Sequence, residues 1–456
     1  MGTAFAWSPD VVSLLTHWAL PFLVVLGVLV AFHEMGHFIA AKVFKTRVEK
    51  FYLFFDPWFS LFKVKKGDTE YGIGWLPLGG YVKISGMMDE SMDKEAMKLP
   101  PQPYEFRSKP AWQRLLIMLG GVTMNFIFAI IIYIGIMYAW GEEFLPTENA
   151  KYGIETNETG KEIGFQNGDK ILTLDNKTIE SFTAIIPTIV LDHIKTVQVE
   201  RNGQKTDVEI SDSDLALLLK SKSVLIPRTP FDIKIGKVEK GSPAQKAGLL
   251  KDDIFVGADS LKFQYYDEFK DYLGSKKGQS IELEMIRDGK TITQKVDVTE
   301  EGKIGFYVAY NNPDLFEYKT VKYGFFESFP AGIKRGVQTT GDYLKQFRLF
   351  FKKETKAYES LGGFATIGNI FPGTWDWYSF WNMTAFISII LAIMNLLPIP
   401  ALDGGHVMFL MGEIITGRKP GEKFMEYAQI AGMVLLLALV LYANANDIIK
   451  MINGTF

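Results

Sequence analysis

The sequence contains no cysteine. No disulfide can brace any part of it, and no thiolate can act as nucleophile or ligand. Any metal must therefore be held by imidazole and carboxylate. Histidine is scarce too, with five in 456 residues, so each position is informative. A strong excess of one charge is also missing: the net charge is -3 and no Lys/Arg cluster of the nucleic-acid-binding kind occurs, so no nucleic acid is expected as a partner. No Lys or Arg precedes Lys42. The first apolar segment lacks the basic start of a cleavable leader and is expected to remain as an anchor.

What the sequence does have is apolar surface, 48% hydrophobic residues with 14% aromatics, which argues against disorder. Four stretches are nearly free of charge and approach or exceed the roughly 20 residues that cross a bilayer: 11–41, 115–140, 377–402 and 427–446. These predict a polytopic α-helical membrane protein with four transmembrane helices, and the lipid bilayer as a partner. Lys42, Lys45, Arg47 and Lys50 follow the first stretch, Arg107, Lys109 and Arg114 flank the start of the second, and Arg418, Lys419 and Lys423 fill the last connection. The positive-inside rule then puts residues 42–114 in the cytoplasm and both termini outside.

More than two hundred residues between the second and third stretches are then extracytoplasmic. They carry a weak repeat centred on residues 164–171 and 247–254, each copy followed by alternating apolar strands and a turn dipeptide, Asn202-Gly203 or Asp288-Gly289. The second copy, preceded by Gly241, Ser242, Pro243 and Ala244, resembles a PDZ domain. The first resembles a more divergent one. Two β-rich PDZ-like domains are thus expected, over residues 150–222 and 223–312. Within 320–376, Phe329, Ile333, Val337, Tyr343, Phe347 and Phe351 recur at near-helical spacing, which fits an amphipathic helix on the membrane surface or one packed on the PDZ-like modules. The remaining divisions are 1–44 and 111–141 for the first two spans, 45–110 for a cytoplasmic loop, 377–423 for the third span with its connection, and 424–456 for the fourth.

His33, Glu34 and His37 form the pattern His-Glu-x-x-His. Histidines at i and i+4 share one helical face and can bind one Zn²⁺, while the Glu between them is placed to take a proton from water. Polar residues inside an apolar span are costly unless they function. Zinc needs a third protein ligand. Glu49, Asp56, Asp68 and Glu70 lie downstream in a charged loop. Asp403 is the stronger candidate, because the first and third spans run the same way and place His33, His37 and Asp403 at similar depth near the cytoplasmic side. His17 and His193 read as structural. His406 is near Asp403, but the zinc set is complete without it.

His33-Glu34-x-x-His37 together with Asn395-x-x-Pro398-x-Pro400-x-Leu402-Asp403-Gly404 resembles the site-2 protease family, most nearly its bacterial regulator of sigma-E protease branch. The likeness extends to residues 77–83, 120–125 and 360–363, and departs from the family at Phe364, where proline is usual. It implies a zinc endopeptidase of the bacterial inner membrane that cuts transmembrane segments of membrane proteins, such as an anti-sigma factor or a signal-peptide remnant. It also implies that Asn395, Pro398 and Pro400 meet the substrate. The segment with Gly72, Ile73 and Gly74 would form a membrane re-entrant β-hairpin, on which an unwound substrate would pair as a strand. Two other readings carry signatures that the sequence lacks. A catalytically silent PDZ-bearing scaffold would have lost Glu34 or a ligand, and a metal transporter would carry ionisable residues on the second and fourth spans.

Overall fold

The computed structural model describes residues 20–77, 79–87, 100–221, 223–232, 234–308, 315–349, 362–369 and 375–452. His17, Leu78, Phe351 and residues 360–361 therefore lie outside the described residues. The chain divides into two compact units, one from the described residues within 1–141, 322–344 and 359–456, the other from those within 142–321 and 345–358.

The first unit holds helices α1 (Leu20–Val43), α2 (Ala111–Ala139), most of α3 (Phe325–Leu349), α4 (Trp377–Asn395), α5 (Asp403–Thr416) and α6 (Glu422–Ile452). Helices α1, α2, α4 and α6 are long and apolar enough to cross a membrane. Helix α2 has no charge after Arg114, and its buried side includes Ile117, Gly121, Asn125, Ala129, Ile132 and Ile136, the three-to-four spacing of one helical face. It meets α1 main chain to main chain. A Cβ on Gly36 would stand 2.6 Å from the Gly120 carbonyl carbon, and one on Gly120 would stand 2.5 Å from the Gly36 oxygen, so only glycine permits this approach. Along α3, Gly332 and Gly336 pack on α2 at Ile134 and Ile130, while Phe326, Ile333 and Val337 are exposed.

The third span was expected to run to residue 402. It ends at Asn395, because Pro398 and Pro400 donate no amide and push the residues before them out of the helical region. The turn that follows is closed by the Ile399 amide on Leu397 O at 2.7 Å and the Leu402 amide on Ile399 O at 3.0 Å, with Ala401 held at a φ of +84°. Helix α5 then restarts at Asp403. A buried ion pair at 2.5 Å between Arg114 and Glu413 fixes it against α2.

Between α1 and α2 lie β1 (Val48–Leu53), β2 (Phe55–Lys66), β3 (Thr69–Leu76) and β4 (Tyr81–Ile84), in the order β2-β3-β1-β4 with β1 and β3 parallel. This corrects the reading of Gly72, Ile73 and Gly74 as a free docking edge. Gly72 already pairs with Lys63 and Tyr52, and Ile73 with Phe62 and Leu53, so the main chain of β3 is covered on both sides; Gly74 faces Ser60. The hairpin proper is β2–β3, and β4 follows it in the chain. Edge strands are β2 and β4.

The second unit contains two modules with one plan. In the first, strands Lys170–Leu174, Thr196–Arg201 and Gln204–Glu209 form an antiparallel sheet; in the second, Ile254–Ala258, Ser280–Arg287 and Lys290–Asp297 do the same. Leu225–Pro227 pairs with Ile154–Thr156, so the first module takes a strand from beyond residue 222. The ends of the insertion are clasped by antiparallel strands Glu142–Phe144 and Lys319–Val321. The repeat seen in the sequence has a physical basis. Arg201 grips Asp169 and donates to Gly164 O at 2.8 Å, and Arg287 grips Asp253 and donates to Gly248 O at 2.8 Å. Arg228 joins the modules, forming two 2.9 Å bonds to Asp267, which also accepts from Asn167 at 2.8 Å.

Candidate metal centre

Helix α1 brings His33 and His37 to one face, both buried, with their Nε2 atoms 3.3 Å apart. Asp403, the first residue of α5, places Oδ2 at 3.2 Å from each of these nitrogens. Among the described residues this is the one group of three or more His, Asp or Glu side chains able to hold a metal. A tetrahedral zinc with bonds of about 2.0–2.1 Å sets its ligand atoms about 3.3 Å apart. The three measured edges agree with that figure. The Asp403 Oδ2 atom is buried and receives no hydrogen bond, which is costly for a carboxylate oxygen unless a cation faces it. The donor set, two imidazoles and a carboxylate, thus fits zinc in chemistry and spacing.

Helix α2 supports both imidazoles. His37 Nδ1 lies 2.9 Å from the Ile117 carbonyl oxygen, and His33 Nδ1 lies 3.2 Å from the Asn125 amide. Gly121 sits between these two contacts, and a Cβ there would clash with His37 Nε2 and stand 2.6 Å from His33 Cε1. Residues 120–125, which share the family likeness, thus gain a role only in the structure. Their signal was a glycine pair followed, one helical turn on, by a polar residue inside an apolar span.

Glu34 is half-buried and lines, with the three ligand candidates, a cavity of about 700 Å³. Gly80 and strand β4 line the same cavity, and a Cβ on Gly80 would stand 3.5 Å from Glu34 Cγ. Asn395 ends α4 with its amide nitrogen 3.4 Å from His33 Nε2, so it stands beside the metal position. Pro398 and Pro400 do not line this cavity; they shape the turn that delivers Asp403, and Pro400 packs under Gly432 of α6. His406 also lies away from the cluster and lines a separate cavity of about 250 Å³ with Arg114 and Glu413.

The four downstream carboxylates have other partners and are not in the ligand cluster, although Asp56 lines the same cavity. Asp56 accepts from Tyr81 at 2.9 Å and Ser60 at 3.0 Å, Glu70 from Tyr52 at 2.7 Å, and Glu49 from Ser85 at 2.8 Å, while Asp68 stands 3.9 Å from Arg47. Burial, and then the Asp56 carboxylate beside it, push the Tyr81 phenol up, so it keeps its proton and remains a donor at the cavity wall.

Residues 21–439 match the model of Peptidase family M50. A regulator of sigma E protease from Haemophilus influenzae is 27% identical over 95% of this chain and 99% of its own. The regulator of sigma-E protease RseP from Salmonella typhimurium is 29% identical over 93% of this chain and 97% of its own. A solved PDZ domain of an SdrC-like protein from Listeria monocytogenes is 24% identical over 18% of this chain, with a TM-score of 0.17, too low to bear on the fold.

Proposed function

The chain belongs to Peptidase family M50 and is an intramembrane zinc protease of the site-2 type, and from that premise we propose that His33, His37 and Asp403 hold the zinc while Glu34 is the general base. The observation that carries this assignment is the triangle of ligand atoms with edges of 3.2, 3.2 and 3.3 Å beside the Glu34 carboxylate. Zinc bound there supplies a Lewis acid that polarises the scissile carbonyl and acidifies water. Glu34 takes the proton of the attacking water on a carboxylate oxygen and returns it to the departing amine nitrogen. Asn395, next to His33, donates to the substrate carbonyl as charge develops on its oxygen.

The substrate is a transmembrane helix of another membrane protein. In a helix each carbonyl is bonded to an amide four residues on, so it must open before it can be attacked. Opening it in lipid leaves polar groups unpaired, at a cost of several kcal/mol each. Strand β4 offers replacement partners: it is an edge strand, and Tyr81 to Ile84 line the same cavity as Glu34. The substrate strand therefore adds to β4, in place of the β3 segment named from sequence. Strand β2 exposes Trp58, Phe59, Leu61 and Phe62, with Trp58 91% exposed, which suits a hairpin that dips into lipid. The loop charges favour a cytoplasmic-side active site, with termini and PDZ-like modules outside. The names of the relatives, regulators of sigma E protease, favour a membrane-bound anti-sigma factor as substrate.

Glu34→Gln should lower cleavage of a membrane substrate by about 10²–10⁴-fold while zinc stoichiometry stays at the parent level. An active variant, or one as metal-free as His33→Ala, would refute the assignment. The absence of cysteine allows a second measurement. A single cysteine at Lys83 should form a disulfide with one placed near the substrate's cut site, and one at Ile73 should not. The reverse pattern would remove β4 from the mechanism.

A further inference from the structure

We propose that Asn125 is a positioning residue of the metal centre, its side-chain oxygen accepting the Nδ1 proton of His33 and so fixing that imidazole with Nε2 free for the metal. The inference rests on the zinc assignment above. His33 Nε2 faces His37 Nε2 and Asp403 Oδ2, so Nε2 is the ligand atom and Nδ1 the distal nitrogen. A neutral imidazole that gives its Nε2 lone pair to a cation carries its proton on Nδ1. That proton needs an acceptor. His37 has one, the Ile117 carbonyl oxygen at 2.9 Å.

His33 meets Asn125, which is fully buried, at 3.2 Å through the amide Nδ2. In that orientation two donors would oppose each other, while Asn125 Oδ1 is left buried without a hydrogen bond. A half-turn of the amide exchanges the two atoms at almost no steric cost and resolves both faults, placing Oδ1 against the Nδ1 proton. Ile117, Gly121 and Asn125 then act as one stripe of α2 at four-residue spacing. Its ends accept a hydrogen bond from each imidazole, and its middle leaves them room. The main chain of Asn125 is fixed as well, since its carbonyl accepts from Ser388 of α4 at 2.9 Å.

The test is zinc affinity of the full chain in detergent, measured by chelator competition for the parent, His33→Ala, Asn125→Leu and Asn125→Asp. Leucine keeps the branched skeleton, with somewhat greater volume, and removes the acceptor; aspartate keeps the acceptor and removes the donor. Asn125→Leu should bind zinc about 10–100-fold more weakly, and Asn125→Asp within a few-fold of the parent, the range seen when the outer partner of a ligating histidine is lost or kept. Parent-like affinity in Asn125→Leu overturns the proposal. So does an Asn125→Asp variant as weak as Asn125→Leu, which would assign the amide to donation or packing. If His33→Ala itself keeps its zinc, the metal assignment fails rather than the role of Asn125.

Discussion

Asp253 and Asp403 are both nearly buried carboxylates, yet they are answered differently. Asp253, in the second unit, lies in the fork of Arg287 at 2.6 and 2.7 Å and also accepts from the Leu250 amide at 2.8 Å. Asp169 repeats the arrangement with Arg201. Asp403, in the first unit, turns its buried Oδ2 to two imidazole nitrogens at 3.2 Å and meets no arginine or lysine there. A buried charge persists only when paired or bound to a metal. The paired carboxylates hold a fold together, and the one left open to a cation marks a site.

The sharpest way to break this comparison is to remove each carboxylate in turn. Asp403→Ala should lose most of its zinc, with the PDZ-like unit unaffected; an unchanged stoichiometry would mean that another residue is the third ligand. Gly121→Ala comes next. Its added Cβ collides with the imidazoles, and a displacement of about 1 Å costs roughly 10²-fold in turnover. A fully active Gly121→Ala would show that the contact between α2 and the histidines is not needed.

Asp253→Ala should leave zinc alone and destabilise the second unit by about 3 kcal/mol, the low end for breaking a buried pair because Arg287 is 25% exposed. Burial alone would raise the Asp253 carboxyl, but Arg287 and the Leu250 amide outweigh it and hold it below the usual range. Folding thus favours the ionised form. That stabilisation is complete well above the unfolded-state value of about 3.9 and is lost as pH falls through the lower folded value. Acid titration of the unfolding transition in parent and Asp253→Ala should converge at low pH. The smallest effect is expected at Glu180, whose partner Lys319 is 54% exposed: Glu180→Ala should shift stability by less than about 1 kcal/mol.

Much of the centre was legible in the sequence because helical periodicity is local. Two histidines four residues apart share a face wherever the helix stands, and a charge-poor span makes their presence conspicuous. Asp403 was reachable by matching depth along two spans. The partners on α2 were not, since no spacing rule links Asn125 to a histidine 92 positions earlier. The break of the third span was signalled by Pro398 and Pro400 but read as part of the span, because its apolar run continues through them. Strand Leu225–Pro227 pairs with Ile154–Thr156 some seventy positions earlier, a relation that the local pattern of residues does not carry.

By itself the sequence determined which segments are apolar enough for lipid, that a His-Glu-x-x-His pattern lies in one of them, and that the insertion is a duplicated β-rich unit. Each of these depends on residue type and on contacts within one or two turns of chain. The tertiary structure alone decided which nitrogen of each imidazole faces its partner, how closely Asp403 approaches both histidines, and which strand of the sheet keeps an open edge. Those are relations between segments far apart in the chain. In the sheet, β1 and β3 run parallel and enclose no tight turn between them, so their pairing leaves no mark in the local pattern of residues.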